Sequence, residues 1–178
     1  SGVRSMASMK HVGFNVAADP MYTAAYIGAK GGLVAVVADD PGMYSSQNEQ
    51  DTRQICRAAQ VPVLEPSDSQ EAKDFMKLAF ELSEKYDTPM VLRTTTRLAH
   101  SQGIVTLEDR VVPEDKPYER DIAKNVMMPA NAKKRHVVVE EHLRQLCEFA
   151  YDCPFNKIEK NDTTLGIITA GNCYNYAK

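Results

Sequence analysis

The sequence lacks the short motifs that identify several common classes of protein. None of its four cysteines forms a C-x-x-C pair, so neither a zinc ribbon nor an iron–sulfur cluster held by closely spaced cysteines is expected. It has no G-x-G-x-x-G or G-x-x-x-x-G-K-[ST] segment to hold the phosphates of a nucleotide, and no G-x-S-x-G turn of a serine hydrolase. No single short motif therefore points to a function.

Long apolar runs and an excess of positive charge are also missing. The longest apolar runs are too short to cross a bilayer, and the opening SGVRSMASMK has no long apolar segment of a secretory signal. The formal net charge of −3 gives no electrostatic attraction to nucleic acid. We therefore expect a cytoplasmic protein with no nucleic-acid and no membrane partner. Its cysteines are expected to be free and mostly packed thiols: Cys56, Cys147, Cys153 and Cys173.

Apolar segments alternate with helical patterns over the first hundred residues. Strands are predicted at residues 3–9, 33–38, 61–64 and 90–96, helices at residues 16–29 and 48–60, and a third helix after a capping box formed by Asp68 and Glu71. Residues 33–38 are apolar without alternation, which is typical of a parallel strand covered on both faces. Repeated strand–helix units favour right-handed parallel crossovers. The sequence thus predicts an α/β fold, a three-layer parallel sheet with helices on both faces.

The pattern changes after residue 102. Residues 103–132 contain three prolines and many charges, which indicates an ordered connector lying over a surface. Residues 133–178 then predict an amphipathic helix at 137–151 and a strand at 165–170. We interpret residues 1–102 as part of a first domain and residues 133–178 as the start of a second α/β domain. Because neither end of the sequence completes a domain, we expect the chain to be a piece of a longer protein.

The polar segment at residues 39–53 is the strongest candidate for a functional site. It follows a predicted strand, at the edge where open parallel sheets place their ligand-binding groups. Ser46 and Glu49 fit the spacing of a helix capping box, and that structural role is an alternative explanation of both residues. A cap needs only two polar side chains, whereas this segment has many more. We therefore favour a ligand-facing loop with five candidate cleft residues: Ser45, Ser46, Gln47, Asn48 and Glu49.

A second polar segment, residues 10–15, lies between the first predicted strand and the first predicted helix. Because the carboxyl ends of parallel strands meet at one edge of a sheet, we expect this segment to lie beside residues 39–53. His11 is its candidate functional side chain, and the alternative is a solvated loop with Asn15 at a helix start. Arg93 and Arg97 are expected at the ends of the strand at 90–96 rather than inside it.

Two further kinds of chemistry are disfavoured. His136 and His142 lie six residues apart, which does not place them on one face of a helix, so a zinc site with Cys147 is not expected. We predict no metal site in the chain. A serine hydrolase is ranked last because no orienting carboxylate is identified for its candidate groups, which would be Ser45 or Ser46 with His11 or His100.

Several long segments of the sequence resemble one family of enzymes. They are MKHVGFNVAADP, GGLVAVVADDPGMYSSQNEQDTR, VPVLEPSDSQEAKDF, PMVLRTTTRLAHSQG and PANAKKRHV. Together they resemble the alpha subunits of the indolepyruvate ferredoxin oxidoreductases, which belong to the thiamine-diphosphate-dependent 2-oxoacid ferredoxin oxidoreductases. The likeness extends over nearly the whole chain.

The resemblance implies a domain, a cofactor and a reaction. Residues 1–102 would form the greater part of a pyrimidine-binding domain, and residues 39–53 would line a cleft shared with a pyrophosphate-binding domain. The implied reaction is the oxidative decarboxylation of an aryl 2-oxoacid such as indolepyruvate to an acyl-CoA, with electrons passed through iron–sulfur clusters to ferredoxin. The residues that would lie near the aminopyrimidine ring are Lys10, His11, Gly13 and Asn15.

Other parts of the family pattern are not found in this sequence. The catalytic glutamate of the family lies on a helix upstream of the first strand, so the resemblance implies no catalytic residue in this chain. A magnesium-binding GDG motif and a cysteine-rich segment are absent. Thiamine diphosphate with magnesium, 4Fe-4S clusters and coenzyme A would belong to the parent enzyme, whose partners would be the remaining alpha-subunit domains, a beta subunit and ferredoxin. The chain alone is expected to be inactive. The competing hypothesis is a non-catalytic α/β docking or assembly module that holds a protein partner with its polar edge.

Overall fold

A four-stranded sheet with all strands parallel lies at the centre of the computed structural model. The structure describes residues 2–161 and 164–178. The strands are β1 (Ser5–Lys10), β2 (Leu33–Asp39), β3 (Val63–Leu64) and β4 (Met90–Thr95), in the order β1-β2-β4-β3 across the sheet. The four strands predicted in the first hundred residues are confirmed, although β3 is shorter than expected.

Helices connect and cover these strands. They are α1 (His11–Val16), α2 (Ala18–Ile27), α3 (Thr52–Ala59), α4 (Ser69–Lys85), α5 (Thr96–His100), α6 (Ile122–Asn125), α7 (Pro129–Asp152) and α8 (Tyr174–Ala177), with a short 3-10 turn at Gly171–Cys173. The segment at residues 10–15 was predicted to be a loop, and this is wrong, because Lys10 ends β1 and α1 begins directly after it at His11.

The helices form a layer on each face of the sheet. Alternate residues of the strands point to opposite faces. One apolar cluster joins α1, α2 and α3 to Ala35, Val37 and Val91, and the other joins α4 to Val34, Met90 and Leu92. The chain moves away from β1 through α2 and α3 and returns from β3 to β4 through α4. Right-handed crossovers require the return helix to lie on the opposite face. The predicted three-layer α/β architecture is confirmed.

Helix α4 follows its sequence pattern closely. The Asp68 side chain accepts a hydrogen bond from the Glu71 N–H at 2.8 Å and caps the helix. The Glu71 carboxylate reaches back to the N–H of Ser67 at 2.8 Å, so the predicted capping box closes one residue earlier than expected. Phe75 and Leu82 are buried against the sheet.

The start of α3 corrects a prediction. The helix begins at Thr52 with Asp51 as its cap, so the capping box predicted for Ser46 and Glu49 does not form. Residues 48–51 lie outside the helix. Ile55 and Ala59 face inward, whereas Ala58 is exposed.

Helix α7 packs against the amino edge of the sheet, where the preceding helices end. Arg135 donates to the carbonyl of Tyr26 at the end of α2, and Leu146 packs in the α4 cluster beside Tyr86. On this predicted amphipathic helix, Val139 and Leu146 are buried. Cys147 and Ala150 are exposed. The division of the chain at residues 102 and 132 stays a prediction.

The remaining segments lie on the surface. No regular structure is assigned at residues 101–121, and polar contacts such as the Lys73 ammonium to the Thr106 carbonyl (2.5 Å) hold this connector on α4. The strand predicted at residues 165–170 does not form, and those residues are exposed. Cys56 and Cys153 are buried and Cys147 and Cys173 are exposed, all as free thiols, so the packing prediction is right for two of the four.

Strand β1 lies at an edge of the sheet. It pairs with β2 on one side, and among the described residues no strand pairs with its other side. Its side chains from Ser5 to Ser8 are exposed. In the described part of the chain, no helix combines the length and apolar character that a membrane span requires.

Candidate functional site

Charged and polar side chains gather at the carboxyl edge of the sheet, where β2 and β4 end. Asp39 is the last residue of β2, Asp40 follows it, and both carboxylates are buried. β4 carries a buried Arg93 and leads into α5, which begins at Thr96. A buried charge needs a partner or a set of hydrogen bonds, and each of these charges has one.

Asp39 and Arg93 form a buried ion pair. The Arg93 Nε donates to Asp39 Oδ2 at 2.6 Å, and the side chains are 6% and 0% exposed. Asp39 also accepts from the N–H of Thr52 at 3.0 Å and from the Thr52 hydroxyl. The prediction that Arg93 lies at a strand end is wrong, because Asp39 neutralises it within the sheet. One carboxylate thereby joins the end of β2 and the interior of β4 to the start of α3.

Further charged side chains lie around the ion pair of Asp39 and Arg93. Glu65, which follows β3, binds the Arg93 Nη1. Arg53 donates from Nη2 to Asp51 Oδ2 at 2.8 Å. Burial raises the pKa of the nearby Cys56 thiol to about 12, and the charges of Asp39 and Asp51 add to this effect. The thiol therefore stays protonated and is no nucleophile at neutral pH.

Asp40 organises the loop that follows β2. Its Oδ2 accepts from the Ser46 hydroxyl at 2.5 Å and from the Ser45 N–H at 2.9 Å. Its Oδ1 accepts from the Thr96 hydroxyl at 2.8 Å. These hydrogen bonds, led by that of Ser46, hold the pKa of Asp40 well below its usual value, and the Lys10 charge contributes in the same direction. Asp40 is therefore ionised throughout the physiological pH range.

The two polar segments predicted to lie side by side do meet at this edge. The Lys10 ammonium donates to the Ser45 carbonyl at 3.0 Å and lies 3.8 Å from Asp40 Oδ2. The Asn15 Nδ2 donates to Gln50 Oε1 at 2.6 Å. Residues 10–15 and residues 39–53 thus form one continuous polar surface.

His11 and Gly13 occupy less accessible positions than expected. The His11 side chain is fully buried, and neither ring nitrogen has a hydrogen-bond partner. The alternative of a solvated loop is therefore wrong for His11. A Cβ added at Gly13 would lie 3.2 Å from the Cβ of Met9, so close packing of α1 on β1 accounts for this glycine.

The five predicted cleft residues divide into two groups. Ser45 and Ser46 turn toward Asp40, and neither hydroxyl contacts a histidine, so a serine nucleophile activated by His11 or His100 is not assembled. Gln47, Asn48 and Glu49 are exposed at the tip of the loop. Asn48 accepts a hydrogen bond from Gln50, whereas the side chains of Gln47 and Glu49 make none within the described residues. Whether any of the five binds a ligand stays a prediction.

Sequence reasoning missed several residues of this edge. Asp39 and Asp40 were predicted only as part of the polar segment at residues 39–53, with no role of their own, and the structural importance of Thr96 was not recognised. Their signal was present, because an aspartate and an arginine inside two apolar parallel strands must neutralise each other. Arg97, predicted at an end of the strand, lies just beyond β4 as the second residue of α5, and it donates to the Tyr176 hydroxyl at 3.1 Å.

Comparisons with known proteins agree on one family. The family model described as "Pyruvate flavodoxin/ferredoxin oxidoreductase, thiamine diP-bdg" matches residues 2–160. The chain is 47% identical to the indolepyruvate oxidoreductase subunit IorA of Archaeoglobus fulgidus and 49% identical to that of Pyrococcus abyssi, over 100% of this chain in both cases. It spans 29% and 28% of the length of these relatives. No solved structure matches the chain at a significant level.

Replacing Arg93 by Met should destabilise the fold strongly. The change keeps a long side chain but leaves the Asp39 carboxylate buried without its cation, at a cost of about 3–5 kcal/mol. The free energy of unfolding in urea measures the effect. The matched control is Arg57→Met, at an exposed arginine of α3, which should change it by less than about 0.5 kcal/mol. Equal effects of the two changes would show that the buried pair contributes nothing.

The Asp40 carboxylate should make stability depend on pH in acid. Its pKa is lowered in the folded chain from an ordinary value of 3.8, so its contribution is complete above that value and is lost as the pH falls below it. In the Asp40→Asn variant the free energy of unfolding should therefore fall less between about pH 5 and about pH 2.5 than in the unchanged chain. Urea unfolding at a series of pH values measures this, and parallel profiles would contradict the proposed role of Asp40.

Proposed function

Because the chain belongs to the pyruvate flavodoxin/ferredoxin oxidoreductase thiamine-diphosphate-binding family, we propose that it forms the cofactor-facing part of an indolepyruvate:ferredoxin oxidoreductase. The parent enzyme would oxidatively decarboxylate aryl 2-oxoacids such as indolepyruvate to acyl-CoA and pass the electrons to ferredoxin. The relatives that the chain matches over its whole length carry the name indolepyruvate oxidoreductase subunit, which supports this choice of substrate.

The observation that carries the proposal is the single polar surface built from two strand–helix junctions. The contacts from Lys10 to Ser45 and from Asn15 to Gln50 hold the segments together. Beside them, Gln47 and Glu49 have no hydrogen-bond partner in the described part of the chain. The surface therefore has side chains held in place by hydrogen bonds and, at the tip of the loop, side chains free to bind a ligand. A ligand-binding edge of a parallel sheet requires both.

The chemistry of this surface fits the pyrimidine end of thiamine diphosphate better than its diphosphate end. The amide side chains of Asn15, Gln47 and Asn48 offer donors and acceptors together, which complement an aminopyrimidine ring. The ammonium of Lys10 is already bound to Ser45 and lies close to Asp40. We therefore infer that another domain of the enzyme holds the diphosphate and its magnesium ion.

His11 provides an independent indication of a binding role. Two ring nitrogens buried without partners cost on the order of 1–3 kcal/mol each, and no residue in the described part of the chain offers a hydrogen bond to them. A ligand or neighbouring domain that brought a partner would stabilise this junction. Reaching the enclosed ring requires a displacement of residues 10–15, whereas Asn15 is accessible as it stands.

The role of this chain would be to bind and orient. Thiamine diphosphate, when bound, supplies the electron sink for decarboxylation of a 2-oxoacid. The proposal assigns no catalytic acid or base to this chain. The proposal also includes the remaining domains of the subunit, iron–sulfur clusters, coenzyme A, a beta subunit, ferredoxin and a cytoplasmic location.

Purified by itself, the 178-residue chain should bind thiamine diphosphate weakly or not at all, because it carries only one wall of the proposed cleft. Isothermal titration calorimetry with magnesium present measures the affinity, and the full-length subunit is the positive control. A dissociation constant of about 1 μM for the chain alone, equivalent to about 8 kcal/mol, would show that the missing parts are wrongly assigned.

In the full-length enzyme, replacing Gln47 and Asn48 together by Ala should lower turnover with indolepyruvate by about thirtyfold, if each amide contributes about 1 kcal/mol to positioning. The melting temperature should stay unchanged because both side chains are exposed. The matched control is Asn125→Ala at an exposed residue of α6, beside the amino edge of the sheet. Unchanged kinetics in the double variant would show that neither amide positions the cofactor or the substrate.

A further inference from the structure

A cavity of about 230 Å³ lies at the same edge of the sheet, outside the polar surface described above. The start of α4, the helix α5 and the returning C-terminal segment line it and leave it open to solvent on one side, with Ser69, Arg97 and Asn172 among its lining residues. Asn175 closes the C-terminal side by donating to the Ser67 carbonyl at 2.9 Å. The cavity is thus built by three separate parts of the chain.

Arg97 is an unusual cation at this edge. Lys10, Arg53 and Arg93 each lie within ion-pair distance of an aspartate. Arg97 forms no ion pair with any carboxylate in the described part of the chain. Its guanidinium donates to the Tyr176 hydroxyl at 3.1 Å and lies 5.8 Å from the centre of that ring.

The phenol of Tyr44 also lies close enough to act on this guanidinium. Tyr176 and then Tyr44 raise the pKa of Arg97 above its usual value. Tyr44 belongs to the loop at residues 39–53, so Arg97 connects the cavity to the candidate site. An arginine oriented by one aromatic side chain through a hydrogen bond and a ring contact, with most of its donors unused, is arranged to bind an oxyanion in a fixed orientation.

Neutral donors line the same cavity. The Oδ1 of Asn172 accepts from the Thr95 hydroxyl at 3.2 Å, and its amide N–H groups have no partner in the described part of the chain. The hydroxyl of Ser69 is also uncommitted there. The Asp68 carboxylate lines the cavity too and opposes the binding of an anion, although one of its oxygens is occupied as the α4 cap.

The volume limits the size of the ligand. Pockets for drug-sized molecules measure about 300–1,000 Å³, and this cavity is smaller. It is large enough to hold an anionic head group.

We propose that this cavity is a subsite for a phosphate- or carboxylate-sized oxyanion, with Arg97 as its cationic anchor and Asn172 and Ser69 as neutral donors. The subsite is separate from the surface assigned to the pyrimidine ring. The oxyanion would be either the phosphate of a co-substrate or the carboxylate of an acid substrate, since a guanidinium recognises both in the same way.

The test is site-resolved labelling of arginines by phenylglyoxal in the full-length subunit, read by peptide mass spectrometry at constant ionic strength. Arg57 is the internal control, because it is exposed on α3 without an ion pair in the described part of the chain. Inorganic phosphate should slow labelling of Arg97 saturably by at least about fivefold and leave Arg57 unchanged. Acetate is the second probe.

The two probes separate the two sources. Protection by phosphate alone supports a phosphate ligand, and equal or better protection by acetate supports a carboxylate ligand. The Asp68→Asn variant, which keeps a good helix cap, should lower the anion concentration needed for half protection by about fivefold. Equal labelling of Arg97 and Arg57 with or without both anions, or no effect of Asp68→Asn on protection, would overturn the proposal.

Discussion

The buried contact between Asp39 and Arg93 determines how the functional edge of this protein is arranged. Either charge alone would be costly inside a sheet covered on both faces, so each makes the other tolerable. Because Asp39 also accepts two hydrogen bonds from Thr52, the same carboxylate fixes the first residue of α3. The loop between them is therefore anchored at both ends, and its central residues are held at the sheet edge without packing of their own.

The architecture could be predicted from sequence because it depends on local patterns. Apolar runs in the strands and the 3.6-residue repeat of α4 are properties of short segments, and a parallel arrangement follows from their alternation. Predictions failed where a contact with another part of the chain replaced the interaction that the local pattern indicated. Ser46 fits a capping box, but its hydroxyl binds Asp40, which lies six residues earlier at the end of a strand. Arg93 was placed at a strand end because its neutralising partner is distant in sequence.

The candidate site was predictable in outline and not in detail. Topology alone brings residues 10–15 and 39–53 to one edge, since both follow parallel strands that are neighbours in the sheet. The sequence could not show which side chains of these segments remain free to bind a ligand, because that depends on the order of β2, β4 and β3 in the sheet. Asp40 accepts hydrogen bonds from Ser45 and Ser46. The amides of Gln47 and Asn48 are then the groups that project from the loop. His11 shows the same limit, because its burial depends on how α1 lies on β1.

Strand β1 has a consequence for how this polypeptide behaves in solution. One side of the strand presents backbone N–H and C=O groups that no strand in the described residues satisfies, and residues with exposed side chains flank them. An unpaired strand edge can form hydrogen bonds with the backbone of another chain, and globular proteins usually shield such edges. Recombinant material limited to these 178 residues would therefore tend to self-associate through β1, with oligomers growing as concentration rises.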